Sequence, residues 1–192
     1  MELAALQEQT RLLLRQKITV MVNQYTVHLA EPDGTPGPVV AFAEQKRLAL
    51  KEQVTVYTDE SRSRVLTGFK ARTVVDFAGE YDVVDEAGKP IGKFWKRGMR
   101  SLLRSTWHLQ QPGLPTLTGQ ERNPVVAVLR RFVDALSWLP YHFDFSIGAS
   151  IAFSVDSRWG IRDTYLINVR DPRLDRRLVI AMAIALDALE GR

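Results

Sequence analysis

The 192 residues contain no cysteine, which excludes a disulfide scaffold, a thiolate nucleophile and any cysteine-ligated zinc or iron–sulfur centre. Nothing requires an oxidising compartment. Long apolar runs are also missing. The longest, Leu178 to Leu186, spans nine residues, whereas a helix needs about 20 to cross a bilayer. The opening segment, Met1 to Leu14, mixes Glu2 and Glu8 with leucines and has no uninterrupted apolar core, so it does not read as a secretory signal. A cytoplasmic location is expected, at most peripheral to a membrane. Charge of one sign is scarce too: 26 basic against 22 acidic residues leave +4, too little to announce a nucleic-acid binder. No recognition-helix or RNA-binding strand signature appears.

Catalytic patterns are equally sparse. No phosphate-cradling or dinucleotide-binding glycine pattern occurs, and Ser146-Ile147-Gly148 is not a nucleophile elbow. The three histidines, His28, His108 and His142, are far apart and lack metal-ligand spacing. Acidic residues gather at Asp76, Glu80, Asp82, Asp85 and Glu86, but without the twelve-residue pattern of a calcium loop. They read as a solvated strand face followed by a turn. No cofactor is expected.

What the sequence does have is alternation. From Lys17, Ile18, Val20 and Val22 alternate with Thr19 and Met21, and Tyr25, Val27 and Leu29 resume after Asn23-Gln24, which predicts a hairpin turning at that polar pair. Further strands are predicted at Val39 to Phe42, Gln53 to Tyr57, Arg64 to Phe69, Tyr81 to Val84, Pro90 to Trp95 and around Trp107 and Leu109. Three more follow at Phe143 to Ile147, Ile151 to Val155 and Tyr165 to Val169. Gly- and Pro-containing turns separate many of them. Residues 2–16 predict a short, frayed helix, and Gln111 to Gln120 a loop. Asn123-Pro124 caps and starts a predicted helix over 123–139, with Val125, Val128, Leu129, Phe132, Leu136 and Leu139 at helical spacing.

The C-terminal segment is the most informative. Asp171-Pro172-Arg173-Leu174-Asp175 supplies a start signal, and Arg176 to Glu190 reads as a helix. Leu178, Val179, Ile180, Met182, Ile184 and Leu186, separated only by alanines, cover its whole circumference. A surface helix keeps a polar face; this one has none. Exposing such a segment forgoes about 1.5–3 kcal/mol for each large side chain, so strands must enclose it.

These features resemble the tubby-like barrel of tubby proteins, phospholipid scramblases and LURP-one-related proteins, with the scramblase-like and LURP-one-like branch nearer. The resemblance runs from about Leu14 to Leu189. It is carried by Tyr81-Asp82-Val83-Val84-Asp85-Glu86-Ala87-Gly88-Lys89-Pro90-Ile91-Gly92-Lys93, by Arg104-Ser105-Thr106-Trp107, and by Leu174 to Asp187. It implies a mainly β fold: a closed antiparallel barrel of about twelve strands around a buried C-terminal helix, here with the additional helix at 123–139 and the whole chain as a single domain. The cysteine- and proline-rich segments and the membrane tail of typical scramblases are absent, so scrambling and calcium dependence are not implied.

One stretch stands out for binding. Lys89, Lys93, Lys96, Arg97, Arg100 and Arg104 occur with no acidic residue among them, and Lys93, Trp95 and Arg97 share one strand parity. Such a positive, aromatic-bearing edge can hold an anionic ligand, and Arg62, Arg64, Lys70 and Arg72 extend it if their hairpins are neighbours. The leading expectation is a non-enzymatic binding or scaffold module of tubby-like type whose ligand the sequence does not name, with an anionic lipid headgroup or a protein as the candidate partners. One alternative is membrane-surface phospholipid or phosphoinositide binding through the basic patch, since tubby-like relatives imply headgroup recognition. The other is an enzyme using histidine and carboxylates, with His108 and His142 as its candidates. Oligomeric state is not fixed by the sequence.

Overall fold

The computed structural model describes residues 1–46, 53–72, 79–96, 105–123, 142–158 and 163–189. A five-residue helix, α1 (Leu3–Gln7), is followed by β1 (Arg11–Ile18), β2 (Val22–Ala30), β3 (Pro36–Lys46), β4 (Gln53–Tyr57), β5 (Val65–Ala71) and β6 (Glu80–Asp85). Then come β7 (Pro90–Lys96), β8 (Thr106–Gln110), β9 (Leu117–Glu121), β10 (His142–Ile147), β11 (Ser150–Ser157), β12 (Thr164–Val169) and the helix α2 (Arg176–Leu189). Each strand pairs antiparallel with its sequence neighbours, and β1 closes onto β12 to complete a twelve-strand barrel. Closure removes the sheet edges, and the inward residues of all strands then face one interior.

That interior is filled by α2. Eleven of its fourteen residues are buried, including Leu178, Val179, Ile180, Met182, Ile184 and Leu186. The expected mainly β class, closed antiparallel barrel and enclosed terminal helix are therefore all present. The helix lies against β5, β6 and β7. Gly92 on β7 makes this approach feasible: a Cβ there would stand 2.7 Å from a methyl of Leu178 and 2.6 Å from the Gln110 carbonyl. Around the wall, Phe69, Tyr81, Phe94 and Trp107 form a run of ring contacts at 5.2–6.1 Å. On the other side Phe145 stacks on Phe153 at 4.3 Å. A Cβ on Gly119 would collide with the Phe145 ring at 2.3 Å, so β9 must carry glycine opposite that stack.

The barrel's first end holds the start of α2. Asp175 caps it, accepting the Arg177 amide at 2.9 Å. From α1, Gln7 accepts the Arg176 amide and donates to Asp175, both at 2.9 Å, while Gln111 accepts the Asp175 amide at 2.8 Å. Arg176, only 1% exposed, donates to the carbonyls of Gln9 and Leu174. Burial lowers its pKa below the usual arginine value, against the raising pull of Asp175 and Asp171. The second end holds the C-terminal turn of α2 and the β1–β2 turn.

Three readings need correction. Residues 2–16 are not one frayed helix: α1 stops at Gln7 and β1 begins at Arg11, because pairing with β2 and β12 carries Leu12 and Leu14 into the barrel core. The first hairpin turns at Thr19–Met21 rather than at Asn23-Gln24. Thr19 closes it by accepting the Val22 amide on its hydroxyl at 3.1 Å and donating to the Val22 carbonyl at 2.7 Å. The stretch read as loop up to Gln120 is strand from Leu117 onward, paired to β8 and β10. The helix expected over 123–139 lies, beyond Asn123, outside the described residues.

Candidate functional site

The basic segment divides along β7. Lys89 sits in the turn at the first end, where its amide and that of Ala87 bond the Asp85 carboxylate at 2.8 and 3.0 Å. Lys93 and Trp95 face outward. Lys96, registered with Trp107, has the inward parity of Phe94 and lies with its ammonium 5.7 Å from the Trp107 ring at the second end. At about 3.3 Å per residue, Lys89 and Lys96 are separated by more than 20 Å of strand. Arg97, Arg100 and Arg104 lie outside the described residues.

Sheet register brings Lys70 and Arg72 beside Lys93 and Trp95, with carboxylates between them. One row on the outer face reads Lys70, Asp82, Lys93; in the next, Glu80 pairs with Trp95 and Trp95 with His108. Lys93 bonds Glu80 at 2.8 Å, and Arg72 reaches Glu80 at 3.1 Å and Asp82 at 2.6 Å. Hydrogen bonding to Asp82 holds the Arg72 guanidinium above its ordinary pKa. The Lys93 ammonium stands 5.3 Å from the Trp95 ring, and that ring lies 5.2 Å from His108. This face is therefore a mixed-charge, aromatic strip rather than an unopposed cationic one. Arg62 is elsewhere, paired with Glu44 at 2.6 Å, and Arg64 bonds the Met1 carbonyl.

The histidines stay apart. His28 bonds the Gly37 carbonyl at 2.9 Å, His108 lies tilted against the Trp95 ring, and His142 meets Asp156 at 3.1 Å. Asp156 also receives Arg122 at 3.0 Å, Ser154 at 2.8 Å and Asn168 at 3.1 Å, while Arg122 forks onto Asp144 at 2.8 and 2.6 Å. Hydrogen bonding to Asp144 raises the Arg122 pKa further. In a hydrolytic triad the histidine lies between serine and carboxylate. Here serine and histidine both bond the carboxylate, an arrangement that ties β9 to β12 together. Among the described residues no group of three or more His, Asp or Glu could hold a metal ion.

The sequence reading missed a set of polar side chains on the inner face at the second end. Gln16 follows Leu12 and Leu14 on β1; Asn23 precedes Tyr25 and Val27 on β2; Gln45 follows Ala41 and Ala43 on β3; Glu121 follows Leu117 and Gly119 on β9. Each ends an inward i, i+2 series, and that terminal break in apolar alternation was the available signal. All are at least nine-tenths buried: Gln16 is 9% exposed, Asn23 6%, Gln45 3% and Glu121 2%. Asn23 and Gln45 are cross-strand partners, as are Gln16 and Tyr25. Gln16 Nε2 donates to the Tyr25 hydroxyl at 3.2 Å, and the Tyr165 hydroxyl donates to Asp187 in the last turn of α2. Burial first, then the Asp187 charge and a hydrogen bond to it, push the Tyr25 pKa far above the usual tyrosine value. Among the described residues, Gln16 Oε1, Asn23 Oδ1 and both amide atoms of Gln45 have no hydrogen-bond partner.

Among the described residues no helix is long and apolar enough to cross a membrane. No curated protein matches the chain at a significant level. The family model described as LURP-one-related matches residues 39–187, a span that runs from within β3 through nearly all of α2 and includes β4 to β12. With most of its length covered by that match, and with the barrel and enclosed helix in place, the chain belongs to the LURP-one-related family.

Proposed function

We propose that this protein is a non-catalytic binding module that recognises its partner with the barrel's outer face or second end. The observation that carries this reading is α2. Its side chains fill the interior in which a barrel could otherwise hold a substrate. The contacts of His142 and Asp156 on the outer face tie strands together and, among the described residues, do not align a nucleophile with a base. A panel of ester, phosphoester, peptide and glycoside substrates should show no turnover above buffer. A reaction abolished by His142→Ala or His108→Ala would overturn the proposal.

A second reading is contact with an anionic membrane surface, and one observation favours it. At the tip of the β1–β2 hairpin, Val20 is 92% exposed, Met21 79% and Ile18 46%, beside the exposed cations Arg15 and Lys17. Apolar residues next to cations suit an interface of headgroups and acyl chains. Vesicles containing phosphatidylserine should co-sediment the protein, whereas phosphatidylcholine vesicles should not. Val20→Asp with Met21→Asp should abolish pelleting if the tip is the anchor. Lys93→Glu with Lys96→Glu and Arg97→Glu should abolish it if the basic segment is. No pelleting at low salt, or pelleting unchanged in both variants, ends the membrane reading.

A further inference from the structure

The β10–β11 hairpin does not pair in step along its whole length. Phe145 faces Phe153 and Ser146 faces Ile151, so Ala152 is an extra residue on β11. A bulge of this kind bends its strand and re-aims the groups beside it. Here the Ala152 carbonyl accepts the amides of both Arg170 and Asp171, at 2.8 and 3.0 Å, and so fastens the link between β12 and α2 to the hairpin. The link is also held from within. Arg173 forks onto the Asp171 carboxylate at 3.0 and 2.7 Å, and the Arg173 carbonyl accepts Gln111 at 2.9 Å.

Hairpin and link together line a cavity of about 470 Å³ at the rim of the first end, within the size range of ligand clefts. Ile147, Ile151, Ala152 and Pro172 supply hydrocarbon to it. The charges come from the link, as Arg170, Asp171 and Arg173. Asp171 is occupied by Arg173. Arg170 is exposed, and among the described residues its guanidinium has no ion-pair partner. With two guanidiniums against one carboxylate, the lining carries net positive charge beside aliphatic surface.

That combination selects among ligands. A dianionic phosphate would lie near the Asp171 carboxylate with a single unmatched cation to hold it. A carboxylate balances that cation with one charge and fits the two-pronged geometry of a guanidinium. The hydrocarbon lining calls for an apolar group attached close to the same carboxylate. In the last residue of a polypeptide ending in an aliphatic amino acid, side chain and carboxylate branch from one Cα and meet both requirements together. Arg170, Pro172 and Arg173 are exposed, so the cavity opens to solvent and the rest of such a chain can leave it.

We propose that this groove at the first end binds the aliphatic C-terminal residue of a partner polypeptide, with its α-carboxylate on Arg170 and its side chain against Ile147, Ile151 and Pro172. This contact is additional to those considered for the outer face and the second end. It lies at the opposite end of the barrel from the hairpin tip, so its loss would leave the membrane reading as it stands.

The test uses the full chain and short peptides, fluorescently labelled at the amino end, that finish in leucine or in valine with a free carboxylate. Fluorescence polarisation should give a saturable isotherm with at least one of them. Amidating the terminus, or replacing the last residue by glycine, should weaken binding about tenfold or more, the equivalent of one lost hydrogen bond to a charged group or one unburied aliphatic side chain. Arg170→Gln should do the same while keeping the wild-type thermal midpoint, and Arg170→Glu should remove binding. Inorganic phosphate, and an amidated peptide with its acidic residue internal, should not displace the probe at equal concentration. No isotherm with either peptide, equal binding of acid and amide, undiminished binding in a folded Arg170→Gln or Arg170→Glu variant, or displacement by phosphate or by the internal-acid peptide overturns the proposal.

Discussion

Arg176 and Gln45 are both almost completely buried polar side chains, one at each end of the barrel, and the fold treats them differently. At the first end the Arg176 guanidinium meets the carbonyls of Gln9 and Leu174, while Gln7, Gln111 and Asp175 take up the amides at the start of α2. At the second end both amide atoms of Gln45, and the amide oxygens of Gln16 and Asn23, have no hydrogen-bond partner among the described residues. A protein that needed only to hold α2 in place would do better with apolar residues at Gln16, Asn23 and Gln45. The difference teaches that the first end is built for stability and the second carries a cost of the kind found at functional sites.

The contrast can be broken most directly by removing one group at each end. Arg176→Met should lower the urea-derived unfolding free energy by about 3 kcal/mol, because two buried carbonyls lose a charged donor. Gln45→Met should be neutral, or stabilise by up to about 1 kcal/mol, since it deletes open polar atoms without leaving a partner stranded. Equal losses at the two positions would erase the distinction.

A smaller effect separates the ends by pH. For Asp175, burial raises the pKa, but the bonds from Arg177 and Gln7 outweigh it, so the carboxyl stays below its ordinary value. The unfolded chain then binds the extra proton first, and this contribution is present above about pH 4 and lost as pH falls further. Tyr25 behaves in the opposite sense, and Tyr81, raised by burial alone, follows it. Their raised values make the unfolded chain release protons first, so stability is full below about pH 10 and declines above it. Thermal midpoints across pH should show an acid limb flattened by Asp175→Asn and an alkaline limb flattened by Tyr25→Phe. An alkaline limb untouched by Tyr25→Phe would mean that the second end does not govern it.

The smallest expected change is at the hairpin tip. Val20→Asp with Met21→Asp should alter stability by no more than about 0.5 kcal/mol, as for other exposed sites. A loss well beyond that would show that the tip packs against the barrel and is not a free surface.

Much of this architecture can be read in the linear pattern. Leu178 to Leu186 is apolar around its full turn, and the strand stretches alternate with period two, so one element had to be enclosed and the others had to supply a wall. The β1 strand was harder, because Leu12, Leu13 and Leu14 are consecutive and follow the helix-forming residues at 3–7, so their period is ambiguous. The turn at Thr19–Met21 was obscured because Val20 and Met21 have strong strand or apolar character yet face solvent, and only pairing of Ile18 with Asn23 fixes the register. At the basic segment, composition showed an unbroken run of cations from Lys89 onward. It could not show that Glu80, 13 residues before Lys93, would bond it, or that Asp82, 10 residues after Arg72, would bond that guanidinium.

The sequence by itself determined that a short C-terminal helix is apolar on all sides from Leu178 to Leu186 and that antiparallel strands surround it, since burial and side-chain periodicity are local properties. Only the tertiary structure decided which charges meet across strands, which end of the barrel Asp187 occupies, and that Gln16, Asn23 and Gln45 gather there. Those outcomes depend on register and closure between segments distant in sequence, and a local pattern does not specify which residues of two strands will lie opposite each other.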